Sequence, residues 1–88
     1  MLPKRITECC IMAVNMASLT DKKFLRDLGE RIREKRVALG ITQEQFGQKC
    51  DLHRTFVGSV ERGERNVSIL NLRLMAKMLR VELSELLR

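Results

Sequence analysis

Between Asp21 and Leu39 the chain returns to one face every three or four residues, through Leu25, Leu28, Ile32, Arg36 and Leu39, while charged residues fill most of the positions between. This spacing predicts an amphipathic helix that ends at Gly40. Arg36 is the exception on that stripe, because an unpaired charge is costly to bury. Glu61 is its expected partner and the two would pin their helices together; an Arg36 that snorkels to water is the alternative.

The next stretch, Thr42 to Gly63 (TQEQFGQKCDLHRTFVGSVERG), is the one around which the rest is organised. Thr42 and Gln45 have the spacing of a capping box, so a helix is expected from Gln43. Phe46 and Cys50 share one face, and Gly47 beside them would let another helix approach. Asp51 and Leu52 read as a turn. A second helix would then carry Phe56, Val57 and Val60 inward and stop at Gly63, a residue suited to the left-handed conformation past a helix end. Two short helices joined by a tight turn make a helix-turn-helix pattern, although an ordinary pair of core helices has the same apolar spacing.

Beyond the polar link Glu64 to Val67, Ser68 is a good N-cap for a helix running to about Leu79. Its apolar residues fall on two faces, Ile69, Leu72, Met75, Ala76 and Leu79 on one, Leu70, Leu74 and Met78 on the other. A short terminal helix adds Val81, Leu83, Leu86 and Leu87. One small core does not easily consume both faces. The surplus reads as a self-association surface through Leu70, Leu74, Met78, Leu83, Leu86 and Leu87, with a purely internal core as the alternative.

Composition narrows the function. The 88 residues hold one small domain, and the formal charge of +6 favours a polyanionic partner. Three Phe and no Trp or Tyr leave little with which to stack single-stranded bases, so duplex is the expected form. Cys9, Cys10 and Cys50 provide no disulfide framework and no metal-binding spacing, and His53 is the single histidine. Without a zinc site, a His-based triad or a phosphate-binding glycine loop, no enzyme and no cofactor are expected. Residues 1–20 differ from the remainder and read as an extension that is mobile or marginally helical, with Cys9, Ala13 and Met16 on one possible face. Their weakly apolar run is broken by Asn15 and is too short for a membrane span, so no membrane association is expected. The cysteine usage fits a reducing, cytoplasmic setting, which is the expected one.

The segment TQEQFGQKCDLHRTFVGSVERGERN resembles the helix-turn-helix of the Cro/C1 (XRE) superfamily, and more closely the controller proteins of restriction-modification systems. The features that carry the likeness are the T-Q-E start, the H-R-T-F opening of the second helix, the E-R-G end and the R-N-V-S link. The resemblance covers about residues 22–87 and implies an all-α, five-helix domain over residues 21–88, with dimerisation through its C-terminal helices. It also implies a dimeric, sequence-specific transcriptional regulator that binds double-stranded DNA at pseudo-palindromic operators, including its own promoter. RNA polymerase would be a further partner. A phage-type repressor or an antitoxin would share the fold, and a helical interaction module without DNA binding is the rival from another class.

The same resemblance assigns roles along the motif. Arg54, Thr55 and Ser59 would read bases, Arg54 by a bidentate fork on guanine O6 and N7, and Thr55 and Ser59 from one exposed face on which they lie one turn apart. Gln43, Arg62, Arg65 and Asn66 would hold the DNA backbone, with plain solvated charges as the alternative for Arg62 and Arg65; His53 reads as a cap or rim residue, with a backbone phosphate contact as its alternative. Phe56 stands where controller proteins often have Tyr, which removes a hydroxyl. Gly58 inside the second helix costs about 1 kcal/mol relative to Ala and removes a side chain that relatives use for readout.

Overall fold

The computed structural model describes residues 19–88, and within them five helices and no strand. The helices are α1 (Leu19–Ala38), α2 (Gln43–Cys50), α3 (Arg54–Glu61), α4 (Ile69–Met78) and α5 (Leu83–Leu87). The readings made for Cys9, Ala13 and Met16 lie outside the described residues. The first helix begins at Leu19, ahead of the Asp21 start read from its charge pattern, and Asp21 falls in its first turn, where a carboxylate suits the positive end of the helix dipole.

Most helix ends follow from local chemistry. Thr42 Oγ1 accepts from the Gln45 amide at 3.0 Å and Gln45 Oε1 accepts from the Thr42 amide at 2.8 Å, which closes the capping box of α2. Ser68 Oγ caps α4 by accepting from the Asn71 amide at 3.2 Å. Gly40 (φ 73°) and Gly63 (φ 75°) take the left-handed conformation just past α1 and α3. Two other helix ends use that conformation without glycine, at Asp51 (φ 57°) after α2 and at Arg80 (φ 62°) after α4. Val81 N–H donates to the Ala76 carbonyl at 3.0 Å, which closes the turn at Arg80.

Leu28, Ile32, Phe46, Cys50, Val57, Val60, Leu72, Met75, Ala76, Leu79 and Leu86 form one core between the helices. Three stripe positions depart from the sequence reading. Leu39 and Ile69 are exposed, since each sits at a helix end beyond the packed middle. Leu86 is 0 % exposed and belongs to the core, so it is not available to a self-association surface. Leu74, Met78, Leu83 and Leu87 are half-buried against the core, and of the expected surface only Leu70 stands clear of it, 71 % exposed.

The crossing of α1 and α3 is set by Gly29. A Cβ there would lie 2.3 Å from the Val60 carbonyl oxygen and 2.6 Å from that of Glu61, so the two backbones touch. Gly47 plays a related part, but its close neighbour is the turn itself, the Leu52 carbonyl at 2.5 Å from the Cβ position, and not a further helix. Leu52 N–H donates back to the Gly47 carbonyl at 2.8 Å. The turn between α2 and α3 therefore closes on a residue without a side chain.

Candidate nucleic-acid interface

The site is built on a buried charge cluster. Arg36 and Glu61 are each 8 % exposed, with Arg36 Nε 2.7 Å from Glu61 Oε2 and Nη2 3.1 Å from Oε1. Arg36 Nη1 donates to the Ile41 carbonyl at 2.8 Å, and Gln43 Nε2 donates to Glu61 Oε1 at 3.0 Å. Among the described residues no buried side-chain nitrogen or oxygen lacks a partner. A satisfied pair of this kind ties α1, the start of α2 and the end of α3 to one another. Gln43, assigned to the DNA backbone, thus spends part of its donor capacity inside the protein.

Around this cluster lies the open face of α3. His53 Nδ1 accepts from the Thr55 amide at 3.0 Å, so the imidazole acts as the N-cap in place of a hydroxyl or carboxylate. Arg54 and Thr55, the first two residues of α3, are exposed. Arg54 Nη1 lies 3.5 Å from Glu44 Oε2 with both side chains largely in solvent, an arrangement worth little in energy and easily exchanged for another partner. Gln43, Arg54, Thr55, Gly58 and Arg62 line a shallow hollow between α2 and α3. The absent side chain of Gly58 leaves this hollow open; a Cβ there would lie 3.2 Å from Arg62 Nη1 and 3.4 Å from Gln43 Oε1.

Ser59 does not share the open face with Thr55. It is 8 % exposed, its hydroxyl donates to the Phe56 carbonyl at 2.8 Å, and its oxygen accepts from Arg65 Nε at 3.1 Å. The chain after α3 folds back over it, which spacing along one helix does not reveal. Arg62, Arg65 and Asn66 are exposed in or beside this connector, and Arg62 Nε lies 3.1 Å from Glu64 Oε2. Cys50 is buried behind the motif, and burial pushes its thiol up to about 11, which leaves it protonated and unreactive near neutral pH. No group of His, Cys, Asp and Glu among the described residues could hold a metal ion, and no described helix is long and apolar enough to cross a membrane.

Two short helices joined by a glycine-closed turn, the second with Arg54 and Thr55 exposed on its first turn, make a helix-turn-helix. A helix-turn-helix family model matches residues 32–86. The chain belongs to the Cro/C1-type helix-turn-helix family of DNA-binding transcription regulators. Relatives of this family include control protein C.BamHI of Bacillus amyloliquefaciens, 40 % identical over 60 residues that make up 67 % of this chain and 74 % of the relative. Control protein C.SmaI of Serratia marcescens is 43 % identical over 60 residues, 68 % of this chain and 71 % of that one. Among solved structures, the restriction-modification controller protein C.AhdI from Aeromonas hydrophila superposes with a TM-score of 0.69 at 45 % identity, covering 70 % of this chain and 94 % of that chain. In helix-turn-helix proteins the second helix of the motif, the recognition helix, lies in the major groove while the first crosses the DNA backbone; α2 and α3 stand at those two positions here.

Proposed function

We propose that the protein is a dimeric, sequence-specific regulator of restriction-modification genes, acting at pseudo-palindromic operators that include its own promoter. The observation that carries this reading is the exposed pair Arg54 and Thr55 on the first turn of α3, in a chain whose relatives are control proteins. Arg54 donates to guanine O6 and N7, and Thr55 contacts a neighbouring base edge. Arg62, Arg65 and Asn66 hold phosphates beyond the helix, supported by a formal charge of +6. Leu70, with Ile69 beside it, offers the exposed apolar surface through which a second copy would place two recognition helices about 34 Å apart. Filling one operator would activate transcription through contact with RNA polymerase, and filling a second, weaker one would repress it.

Selection of duplexes from a randomised pool tests the reading. The expected product is a site with two related halves about one helical turn apart, bound less tightly as salt rises, by several counterions per dimer. Arg54→Ala should relax selection at one guanine in each half, at a cost of about 1–3 kcal/mol. Enrichment of no sequence, together with no loss on Arg54→Ala, would refute it.

A further inference from the structure

Phe56, Ser59 and Arg65 form a contact set that the roles above do not use. The Arg65 guanidinium lies over the Phe56 ring, its Cζ 5.0 Å from the centroid. Its Nε donates to Ser59 Oγ at 3.1 Å, while the same hydroxyl donates its proton to the Phe56 carbonyl at 2.8 Å. The hydroxyl is therefore used in both directions: the bond to the carbonyl orients the proton inward and turns a lone pair toward Arg65. These contacts engage the guanidinium carbon and its Nε, not the Nη pair that makes a fork with an anion.

We propose that Ser59 is a positioning residue for DNA binding, acting with the Phe56 ring to hold Arg65 so that its Nη pair meets a phosphate already oriented. Two observations separate this from base reading by Ser59. The residue is 8 % exposed, and its one proton is committed to the backbone of its own helix. An arginine held over a ring and anchored at Nε has its rotamer freedom restricted before the duplex arrives, so less is lost on binding. The device also gives Phe56 a use that needs no hydroxyl, since the ring face alone serves as the platform.

The proposal rests on the regulator reading through the phosphate contact of Arg65. The test measures affinity for the selected duplex across a range of salt for Ser59→Ala, Arg65→Ala, their double variant, Phe56→Leu and Phe56→Tyr, each checked for folding by thermal melt. Ser59→Ala is expected to weaken binding about 5-fold per half-site, the worth of one hydrogen bond. Arg65→Ala should weaken it at least as much and lower the salt slope by about one per half-site. The double variant should bind no worse than Arg65→Ala. Phe56→Tyr should bind like the parent and Phe56→Leu like Ser59→Ala, which keeps the test open if Ser59→Ala folds poorly. A Ser59→Ala loss that persists in full without Arg65 would mean that Ser59 meets DNA directly, and would overturn the proposal. So would unchanged binding by both Ser59→Ala and Phe56→Leu. If Arg65→Ala binds like the parent while Arg54→Ala does not, the positioning role falls and the regulator reading stands; if the parent selects no sequence, both fall.

Discussion

Arg36 Nε lies 2.7 Å from Glu61 Oε2, and both side chains are almost completely withdrawn from water. A buried pair is weak evidence of net stability, because desolvation offsets much of its attraction, yet removing one partner strands the other. Arg36→Met should therefore cost about 3–5 kcal/mol in urea melts. The Arg36→Met/Glu61→Met variant should lose much less than the sum of the two single losses, because no charge is then left behind. Additive losses would show that the two residues act independently.

Two glycines on packed helices should respond to alanine in opposite ways. At Gly29 a Cβ would strike backbone oxygens of Val60 and Glu61, which cannot move without shifting α3. Gly29→Ala is expected to destabilise by at least about 1–3 kcal/mol, the usual range for overpacking. At Gly58 the neighbours are the ends of the Arg62 and Gln43 side chains, which can give way. Gly58→Ala should be neutral or stabilising by up to about 1 kcal/mol, from helix propensity. Thermal melts of the two variants side by side compare the signs directly.

The cap at His53 is a single acceptor aimed at the Thr55 amide. His53→Ala should cost about 1 kcal/mol, while His53→Ser, which restores a capping oxygen, should match or exceed the parent. Equal stability of all three chains would mean that water satisfies the Thr55 amide as well as the imidazole does.

Burial of Cys50 sets a pH dependence with a definite sign. Its thiol ionises ordinarily at 9.0 and at about 11 in the fold, so well below pH 9 both states keep the proton and Cys50 adds no slope. Between these values the unfolded chain releases its proton first. Stability is then lost as pH rises, by on the order of 2–3 kcal/mol once the folded thiol also ionises. The stability difference between the parent and Cys50→Ala should accordingly shrink from about pH 8.5 to about pH 11 in urea titrations. A constant difference would contradict the assignment.

Much of this fold was legible from spacing because its helix ends are written in local chemistry. Thr42, Ser68, Gly40 and Gly63 each satisfy or terminate a helix through atoms close by in the chain, so a reader of sequence meets both partners together. Arg36 was legible for a different reason, since a charge on an apolar stripe demands a partner and few are placed to supply one. The left-handed turn at Arg80 was not legible, because the bond that closes it, Val81 to Ala76, depends on the chain and not on the residue type. Nor was the part played by Gly29, which is defined by carbonyls of a helix more than thirty residues away. Ser59 was misplaced because its exposure is decided by the connector that returns over α3, and a small hydroxyl fits either face of a helical wheel.

The contact of Gly29 with the Val60 and Glu61 carbonyls removes the cushion of side chains over which packed helices ordinarily slide. Backbone contact at that point leaves α3 little room to shift against α1. Adjustment between protein and groove then falls to the nucleic acid, and operators should be ranked by how readily their untouched steps bend as well as by their letters. Replacing a flexible pyrimidine–purine step between the half-sites of the proposed operator by a stiff A-tract is expected to weaken binding although no contact is altered, which gel-shift titration of the paired duplexes would measure; equal affinities would place the adjustment back in the protein.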